Sequence, residues 1–580
     1  MIWFLSDLAR LAREREAIDE LQASATAWLK NVSWKLTPLL EADADIDVNG
    51  ELYPVTLKYP YVFPASPPSV FPRGVSVRWS YHQYGRGGEL CLEWGADNWH
   101  TDITGADMLD SAHKLLSLED PSSHAQAEIE VPSRDAPTFA QQLRGMNRFV
   151  ATPALIARLD SLPFQQATRC SVCISGVRRS MAAVTKIEAE GEPIWNDKQV
   201  PSGALDGLVY GGTAIRMPSN TPDLPLNGGM AELSEGLARL GIDLGALPHR
   251  SAGSFFLLLH TEGKTPNLIW LHKDSFSNFA TVHFRTDTGF RLTDKHAGLS
   301  ERSTYIAGCG SMGSKIATSL ARAGVGRFVL VDDDVFLPEN LVRHDLDWRS
   351  VGTHKVDALS YRLRLVSPGV SVAKHRVRLS GQESSTNIAA ALRAATECDV
   401  IIDATASADV FNLLSSIAVR DGKPMVWAEV FGGGIGGMMA RFSPGQTPTP
   451  AKMRVIVNHW CSLQGVPWAG REHGYETRDD SDAVLIADDA DVSVIAAHTA
   501  RYSLDVLFDA ETRVYSHPVY LIGLKRDWLF KEPFDTIPID VGPPEKVMPA
   551  MVLSPEQVDE NAAFLADLIN GMASATSDSE

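Results

Sequence analysis

The chain has 580 residues, enough for several domains with more than one core. It is 44% hydrophobic and 22% charged, and 72 acidic against 53 basic side chains leave a net charge of −19, which argues against a generic nucleic-acid binder, since that function needs a basic footprint. No apolar run approaches the roughly 20 residues of a membrane span, the opening Met-Ile-Trp-Phe-Leu-Ser-Asp turns charged at once instead of building a signal-peptide core, and six cysteines in so long a chain suit reduced thiols in a cytoplasm.

Residues 5–30 read as a helix, with Leu8, Leu11, Ile18, Leu21 and Leu29 among many charges. From 34 to 70 the pattern changes to strands, ending in a proline-rich stretch that starts at Tyr59 and cannot be helical. A glycine-rich loop follows, Tyr81-His-Gln-Tyr-Gly-Arg-Gly-Gly-Glu-Leu-Cys91-Leu, running to Asn98-Trp99, and 103–117 reads as a helix. A cysteine in that setting suits acyl transfer: the thiolate is a nucleophile, and a thioester keeps an acyl group open to attack by an amine. The other reading is a small buried hydrophobe.

The order of sheet, Tyr-Pro…Pro-Pro loop, histidine, Gly88-Glu-Leu-Cys91-Leu and Trp99 before a helix resembles the ubiquitin-conjugating (E2) family over about residues 1–130. The resemblance implies an E2-like α+β domain with Cys91 as nucleophile and His82 and Asn98 in its shell. It departs from the family at His82-Gln83-Tyr84, where the family has His-Pro-Asn. The missing asparagine is the family's usual oxyanion stabiliser, and Asn98, Tyr84 or backbone N–H groups are the substitutes on offer.

Residues 118–136 are polar and proline-marked, an exit from the first domain. Between 131 and 298 helix and strand patterns mix, and the most apolar stretch, starting at Phe255, fits a buried strand. Cys170-Ser-Val-Cys173 has the spacing of half a zinc site, but no second pair lies nearby and structural zinc needs four ligands. This segment takes the place of a mixed α/β linker domain.

From Tyr305 the chain reads strand, then Gly308, Gly310 and Gly313 opening a helix to Ala323, then a second strand ending on Asp332. That is the first half of a doubly wound, Rossmann-like nucleotide fold: glycines let backbone approach phosphate, and the helix N-terminus offers free N–H groups. The motif alone does not name the cofactor. Asn340-Leu-Val-Arg343 and Gly352-Thr-His-Lys355 tip the balance, because two added cations suit a nucleoside triphosphate and charge developing at its α-phosphorus.

The series Gly-x-Gly-x-x-Gly, Asp-x-Asp, Asn-x-x-Arg, Gly-x-x-Lys resembles the adenylation domain of the ubiquitin-activating (E1) and ThiF/MoeB family over about residues 300–540. It implies ATP and Mg2+ as cofactors. Gly308, Gly310 and Gly313 would cradle phosphates and Asp332 would hold the ribose. Asn340, Arg343 and Lys355 would bind phosphates. Past the strand 400–403 the family has an Asp-Asn pair where this chain has Ala406 and Ser407, so Asp403 becomes the magnesium candidate, the other reading being a helix cap. A long excursion from the sheet is expected over 451–489. No cysteine stands before the helix near Val492, where many relatives carry an acceptor thiol. The nearest is Cys461 beside His459, in competition with Ser481, with a buried structural role, and with direct transfer to Cys91. A closing strand pair after Val519, an amphipathic helix over 554–572 and a polar tail complete the chain.

The expected fold is thus an α/β multidomain chain: E2-like over 1–130, linker over 131–298, E1/ThiF-like adenylation domain over 299–545, and C-terminal helix and tail over 546–580. The order resembles bacterial E2–E1 fusion proteins of antiviral defence, including CBASS. That resemblance implies a cytoplasmic homodimer using ATP to activate the free C-terminus of a ubiquitin-like or CD-NTase-like signalling partner, then conjugating it to a target amine, without nucleic acid or membrane. Two alternatives are a ThiF-like sulfur-transfer enzyme with a docking domain, and a binding protein with a dead nucleotide site.

Overall fold

The computed structural model describes residues 2–24, 27–74, 79–80, 82–84, 88–119, 147–176, 180–222, 224, 229–247, 253–272, 275–283, 294–466, 476–478, 484–508, 513–545 and 554–577. They fall into two compact units, 1–144 and 145–580. In the first, helix Leu8–Ser24 precedes an antiparallel sheet of β1 (Leu29–Thr37), β2 (Leu39–Val48), β3 (Glu51–Lys58) and β4 (Ser69–Pro72), and helix Gly105–Glu119 closes it. Alternate residues of β2 and β3, among them Ala44, Ile46, Val55 and Leu57, meet Ile18, Leu109 and Leu116 in one core. Leu29, expected at a helix end, instead opens β1 opposite Ile46. Buried Glu14 is satisfied by Arg10, the Tyr59 hydroxyl and the Gly105 N–H, so it ties both helices to the sheet without an orphaned charge.

The second unit begins with β5 (Arg148–Ala151), β6 (Thr168–Ser175), β7 (Met181–Glu188), β8 (Trp195–Asn196), β9 (Leu208–Met217), β10 (Ser254–Thr261), β11 (Asn267–His272) and β12 (Phe276–His283), in the order β5-β12-β11-β10-β9-β6-β7-β8. β5 pairs in parallel with both β12 and β7, which closes the sheet on itself. The segment expected to mix helix and strand is, among the described residues, a closed sheet with two short helices, Pro153–Asp160 and Met230–Arg239. The reason lies in β10: Phe256 and Leu258 fill one core while Phe255, Leu257 and Leu259 meet Leu233 and Leu237 in another. A strand covered on both faces needs an unbroken apolar run. Cys170 and Cys173 are buried in β6, and burial pushes the Cys170 thiol up to about 12; neither belongs to a metal-ligand group among the described residues.

The third sheet contains β13 (Ser303–Ala307), β14 (Arg327–Val331), β15 (Ser371–His375), β16 (Val400–Asp403), β17 (Met425–Val430), β18 (Gly436–Phe442), β21 (Val519–Gly523) and β22 (Thr536–Ile539). Its order is β15-β14-β13-β16-β17-β18-β21-β22, parallel through β17 and antiparallel beyond. Side chains of helices Ser311–Ala323, Lys355–Val366 and Asp489–Leu507 share one core, and those of Ser385–Glu397, Ala408–Arg420 and Pro450–Leu463 another. Strand order reverses between β13 and β16, and in such sheets the crevice at that point takes the ligand. Within the predicted excursion lies a small hairpin, β19 (Glu476–Arg478) with β20 (Val484–Ile486); Ser481 lies outside the described residues. The last helix, Pro555–Ser577, runs beyond its predicted end, and its described side chains are exposed.

Arg441 in β18 donates to Asp505 at 2.9 Å and to the Tyr515 carbonyl at 2.7 Å, with 9% and 4% of the two charged side chains exposed. Arg441→Met leaves Asp505 charged and uncompensated in the core. It should cost about 3–5 kcal/mol, read as a lower urea midpoint for unfolding of the 145–580 unit; an unchanged midpoint would contradict the packing described.

Candidate functional site

The three glycines after β13 serve different ends. Gly308 has φ +84°, and a Cβ there would also meet the Ala404 carbonyl at 2.9 Å. At Gly313 a Cβ would strike the Gly308 carbonyl at 1.9 Å, so the helix could not seat on the loop. A Cβ on Gly310 would meet nothing within 4 Å. Gly310 is the N-cap of helix Ser311–Ala323, and no side chain caps it. The result is an open, electropositive helix end at the reversal point of the sheet, a setting that suits phosphate oxygens.

The loop is held at Cys309. Asp332, just past β14, accepts from the Cys309 N–H at 2.6 Å with one oxygen and from the Asp334 N–H at 2.9 Å with the other. Burial pushes the Asp332 carboxyl up, against the pull of these N–H groups and of Lys355. A carboxylate has about four acceptor sites, so two backbone bonds leave capacity for a ribose hydroxyl. On the other side of Cys309, His344 donates from Nε2 to its carbonyl at 2.8 Å, while His344 Nδ1 accepts from the Leu346 N–H at 3.2 Å. Both ring nitrogens are engaged and the imidazole is neutral: burial pushes it down to about 4. His344 follows Arg343 directly, so this bond fixes the Asn340–Arg343 turn against the glycine loop.

Lys355 opens helix Lys355–Val366, is buried, and reaches Asp334 at 2.7 Å. Arg343 is half-buried at the end of the 338–342 turn, which Asn340 secures by accepting from the Leu337 N–H at 2.9 Å. Next to Asp332, whose N–H donates to the His375 carbonyl at 3.2 Å, a cleft of about 430 Å³ opens, lined by Asp357, Lys374, His375, Arg376, Val377 and Asn387 among others. The glycine loop, Asp332 and Lys355 are the groups brought together here that could hold a nucleoside triphosphate, and Arg343 follows in the turn that His344 ties to the loop.

Asp403 fits magnesium poorly. It is 4% exposed at the end of β16, and one carboxylate oxygen accepts from the Thr405 N–H at 3.0 Å and hydroxyl at 2.6 Å. Burial pushes its pKa up. It anchors a loop in which Ala406 takes φ +54° and Ser407 caps helix Ala408–Arg420. The described carboxylates that do converge are Asp332, Asp333 and Asp334, with ligand atoms within 4.8 Å of one another. Cys461 also differs from its expectation as an activated acceptor: it is fully buried on helix Pro450–Leu463, and burial pushes its thiol up to about 11. Cys309 and Cys398 are buried. Beyond the expected residues, the fold adds His344, Lys315, which pairs with Asp489 at 2.7 Å, and Glu429 on β17, which burial pushes up to about 6 despite the pull of Arg454.

Cys91, by contrast, is half-exposed. Its N–H donates to the His82 carbonyl at 2.6 Å, the Tyr84 N–H donates to the Glu89 carbonyl at 2.9 Å, and Gln83 bridges Leu90. The Tyr84 hydroxyl lies 3.8 Å from the Cys91 sulfur. His82 is buried, with Nε2 at 3.8 Å from Glu119. Both ends of the Asn98 amide are engaged by its own loop, accepting from the Gly95 N–H at 2.8 Å and donating to the Glu93 carbonyl at 2.9 Å.

His344 sets the sign of one pH effect. Between its ordinary value near 6.5 and about 4, the unfolded chain binds a proton that the folded imidazole refuses. Its stabilising contribution is therefore full above about pH 6.5 and lost as pH falls towards 4. Glu429, pushed up instead, works in the opposite sense. His344→Gln removes the titration, so its urea midpoint should fall less than that of the wild type between pH 7 and 4.5. Parallel pH profiles would contradict the buried neutral imidazole.

Comparison with known proteins bears on this part of the chain. Residues 289–459 match the model of the ThiF family. Uncharacterized protein y4oA of Sinorhizobium fredii is 30% identical over 173 residues, 28% of this chain and 29% of that protein. Uncharacterized protein y4qC of the same organism is 26% identical over 466 residues, 73% of this chain and 74% of that one. Adenylyltransferase and sulfurtransferase UBA4 of Kluyveromyces lactis is 34% identical over 131 residues, 22% of this chain and 28% of that protein. The chain thus spans under a third of the length of two of these three relatives. A crystal structure of E. coli MccB with ATP aligns with 43% of this chain and 67% of MccB at 18% identity and a TM-score of 0.32, a likeness too loose to carry detail of the site. The ThiF-family match thus lies in the doubly wound part of the chain, and an adenylyltransferase is among the proteins the chain resembles.

Proposed function

We propose that this chain uses ATP to activate the C-terminal carboxylate of a protein or peptide partner and then carries the acyl group on Cys91. The observation that carries the reading is the uncapped helix end behind Gly310, kept open in front, with Lys355 close enough to pull on Asp332 and with Arg343 next in sequence to His344, which bonds the same loop. A carboxylate oxygen of the partner attacks the α-phosphorus of ATP, an acyl-adenylate forms, and pyrophosphate leaves. Arg343 and Lys355 offset the negative charge that builds at that phosphorus. The Cys91 thiolate then attacks the acyl carbon, AMP departs, and a thioester remains. An amine of the target displaces the sulfur to give an amide. No step is assigned to Cys461, whose thiol is buried and held protonated.

The partner is a ubiquitin-like protein or a signalling enzyme with a free C-terminus, the setting is bacterial antiviral defence, and the enzyme works as a homodimer. The E2-like reading of the first unit rests on its four-stranded antiparallel sheet between two helices and on a half-exposed cysteine in the loop that follows. A second reading, sulfur transfer after adenylation, is favoured by the similarity to UBA4, named as both an adenylyltransferase and a sulfurtransferase.

The test is a covalent adduct. With ATP in an extract of its own cells, the wild type should acquire a thiol-labile adduct that Cys91→Ala lacks. Lys355→Ala should lower the rate of its formation by about 100-fold or more. A wild type with no ATP-dependent adduct, or one that Cys91→Ala retains, would contradict the proposal. Once the partner is identified, Cys91→Ala should still exchange labelled pyrophosphate into ATP at the wild-type rate; a loss would mean that the two halves of the chemistry are not separable as described.

A further inference from the structure

We infer that Tyr84 is a catalytic residue of the thiol site, donating from its hydroxyl to the oxygen of an acyl group carried on Cys91. This rests on the reading that Cys91 accepts an acyl group. Its own ground is the local geometry of two short strands. Gln83 pairs with Leu90, the Tyr84 N–H donates to the Glu89 carbonyl, and the Cys91 N–H donates to the His82 carbonyl, so residues 82–84 and 89–91 run antiparallel. Gln83 and Leu90 are buried. Gln83 is locked by its own amide, which accepts from the Trp79 N–H at 2.8 Å and donates to the Gly88 carbonyl at 3.1 Å. Side chains alternate faces along a strand. Tyr84 and Cys91 therefore share the face opposite Gln83 and Leu90. Gly88 makes the close approach possible, since a Cβ there would lie 1.8 Å from the Tyr84 carbonyl oxygen.

The hydroxyl stands 3.8 Å from the sulfur, a long contact even for a bond to sulfur. The carbonyl oxygen of a thioester is two bonds from its sulfur, so an acyl oxygen on Cys91 that lies beside the line joining the two groups comes within hydrogen-bond reach of the hydroxyl. When an amine attacks the acyl carbon, a C–N bond forms and the carbonyl oxygen becomes an oxyanion. As the intermediate collapses, the C–S bond breaks, its electron pair stays on sulfur, and a proton from the nitrogen ends on the thiol. A donor placed at the oxyanion lowers both barriers. Asn98 is the other amide of this region, and its two ends are engaged by Gly95 and Glu93. Tyr84 is 45% exposed, so an incoming amine and its acyl group meet the hydroxyl without displacing core.

The experiment uses the full-length protein and a synthetic peptide ending in Gly-Gly as its mercaptoethanesulfonate thioester, which loads Cys91 by thiol exchange without adenylation. Three rates are compared in wild type, Tyr84→Phe and Cys91→Ala: loading by intact mass, discharge to free lysine, and alkylation of Cys91 by iodoacetamide, a displacement with no oxyanion. Tyr84→Phe should slow loading and discharge about 100-fold while alkylation stays within about twofold. Equal acyl-transfer rates in wild type and Tyr84→Phe overturn the inference. So does a parallel fall in all three rates, which would make Tyr84 only a support for the thiol. A wild type that loads no better than Cys91→Ala overturns the parent reading as well, and so separates the two failures.

Discussion

The proposed nucleotide site depends on the backbone of one residue, Cys309, gripped from both sides. The Cys309 N–H is bound by the Asp332 carboxylate and its carbonyl by the His344 imidazole. Asp332 leaves the end of β14 and His344 leaves the turn that carries Arg343. Two segments, whose gripping residues lie 23 and 35 residues further along the chain, are thereby fixed to the glycine loop. With no side chain of its own to cap it, helix Ser311–Ala323 would otherwise present unpaired N–H groups with nothing to set their direction. Held this way, they form a preorganised donor array, and preorganisation is what makes such an array effective towards charge that builds during reaction.

The two units meet the demands of their chemistry in opposite ways. The adenylation domain buries its polar machinery: Lys355, His344 and Asp403 are all largely removed from water, which strengthens each electrostatic contact. The first unit leaves Cys91 and Tyr84 accessible on a narrow strand pair and buries the framework around them, His82, Gln83 and Leu90. A carrier thiol, the role proposed for Cys91, has to meet an acyl donor and then an amine, and deep burial, which pushes the thiols of Cys170 and Cys461 up, would defeat it.

What could be read from the chain followed the range of the interaction. The roles of Gly308, Gly310 and Gly313 are local, set by backbone a few residues away, and their spacing announced them. The position of Lys355 at the start of a helix was legible for the same reason. His344 was not, because a histidine beside an arginine has no spacing signature and its partner is 35 residues away. Asp403 read as a magnesium candidate at the end of a buried strand, and its engagement by the Thr405 N–H and hydroxyl was not legible from that pattern. For Cys461 a signal did exist: Met453, Val457 and Cys461 recur at helical spacing and all face the core. Closure of the central sheet rests on the parallel pairing of β5 with β7 and β12, which no local pattern encodes.

On the proposed reading the cradle at Gly308–Gly313 is built for a triphosphate and not for a nicotinamide dinucleotide, although both use a glycine-rich turn of this kind. Titration calorimetry of the intact protein with ATP and with NAD tests it most directly. The account predicts saturable binding of ATP that is weakened in Lys355→Ala, and no heat from NAD. Binding of NAD with no response to ATP would contradict it.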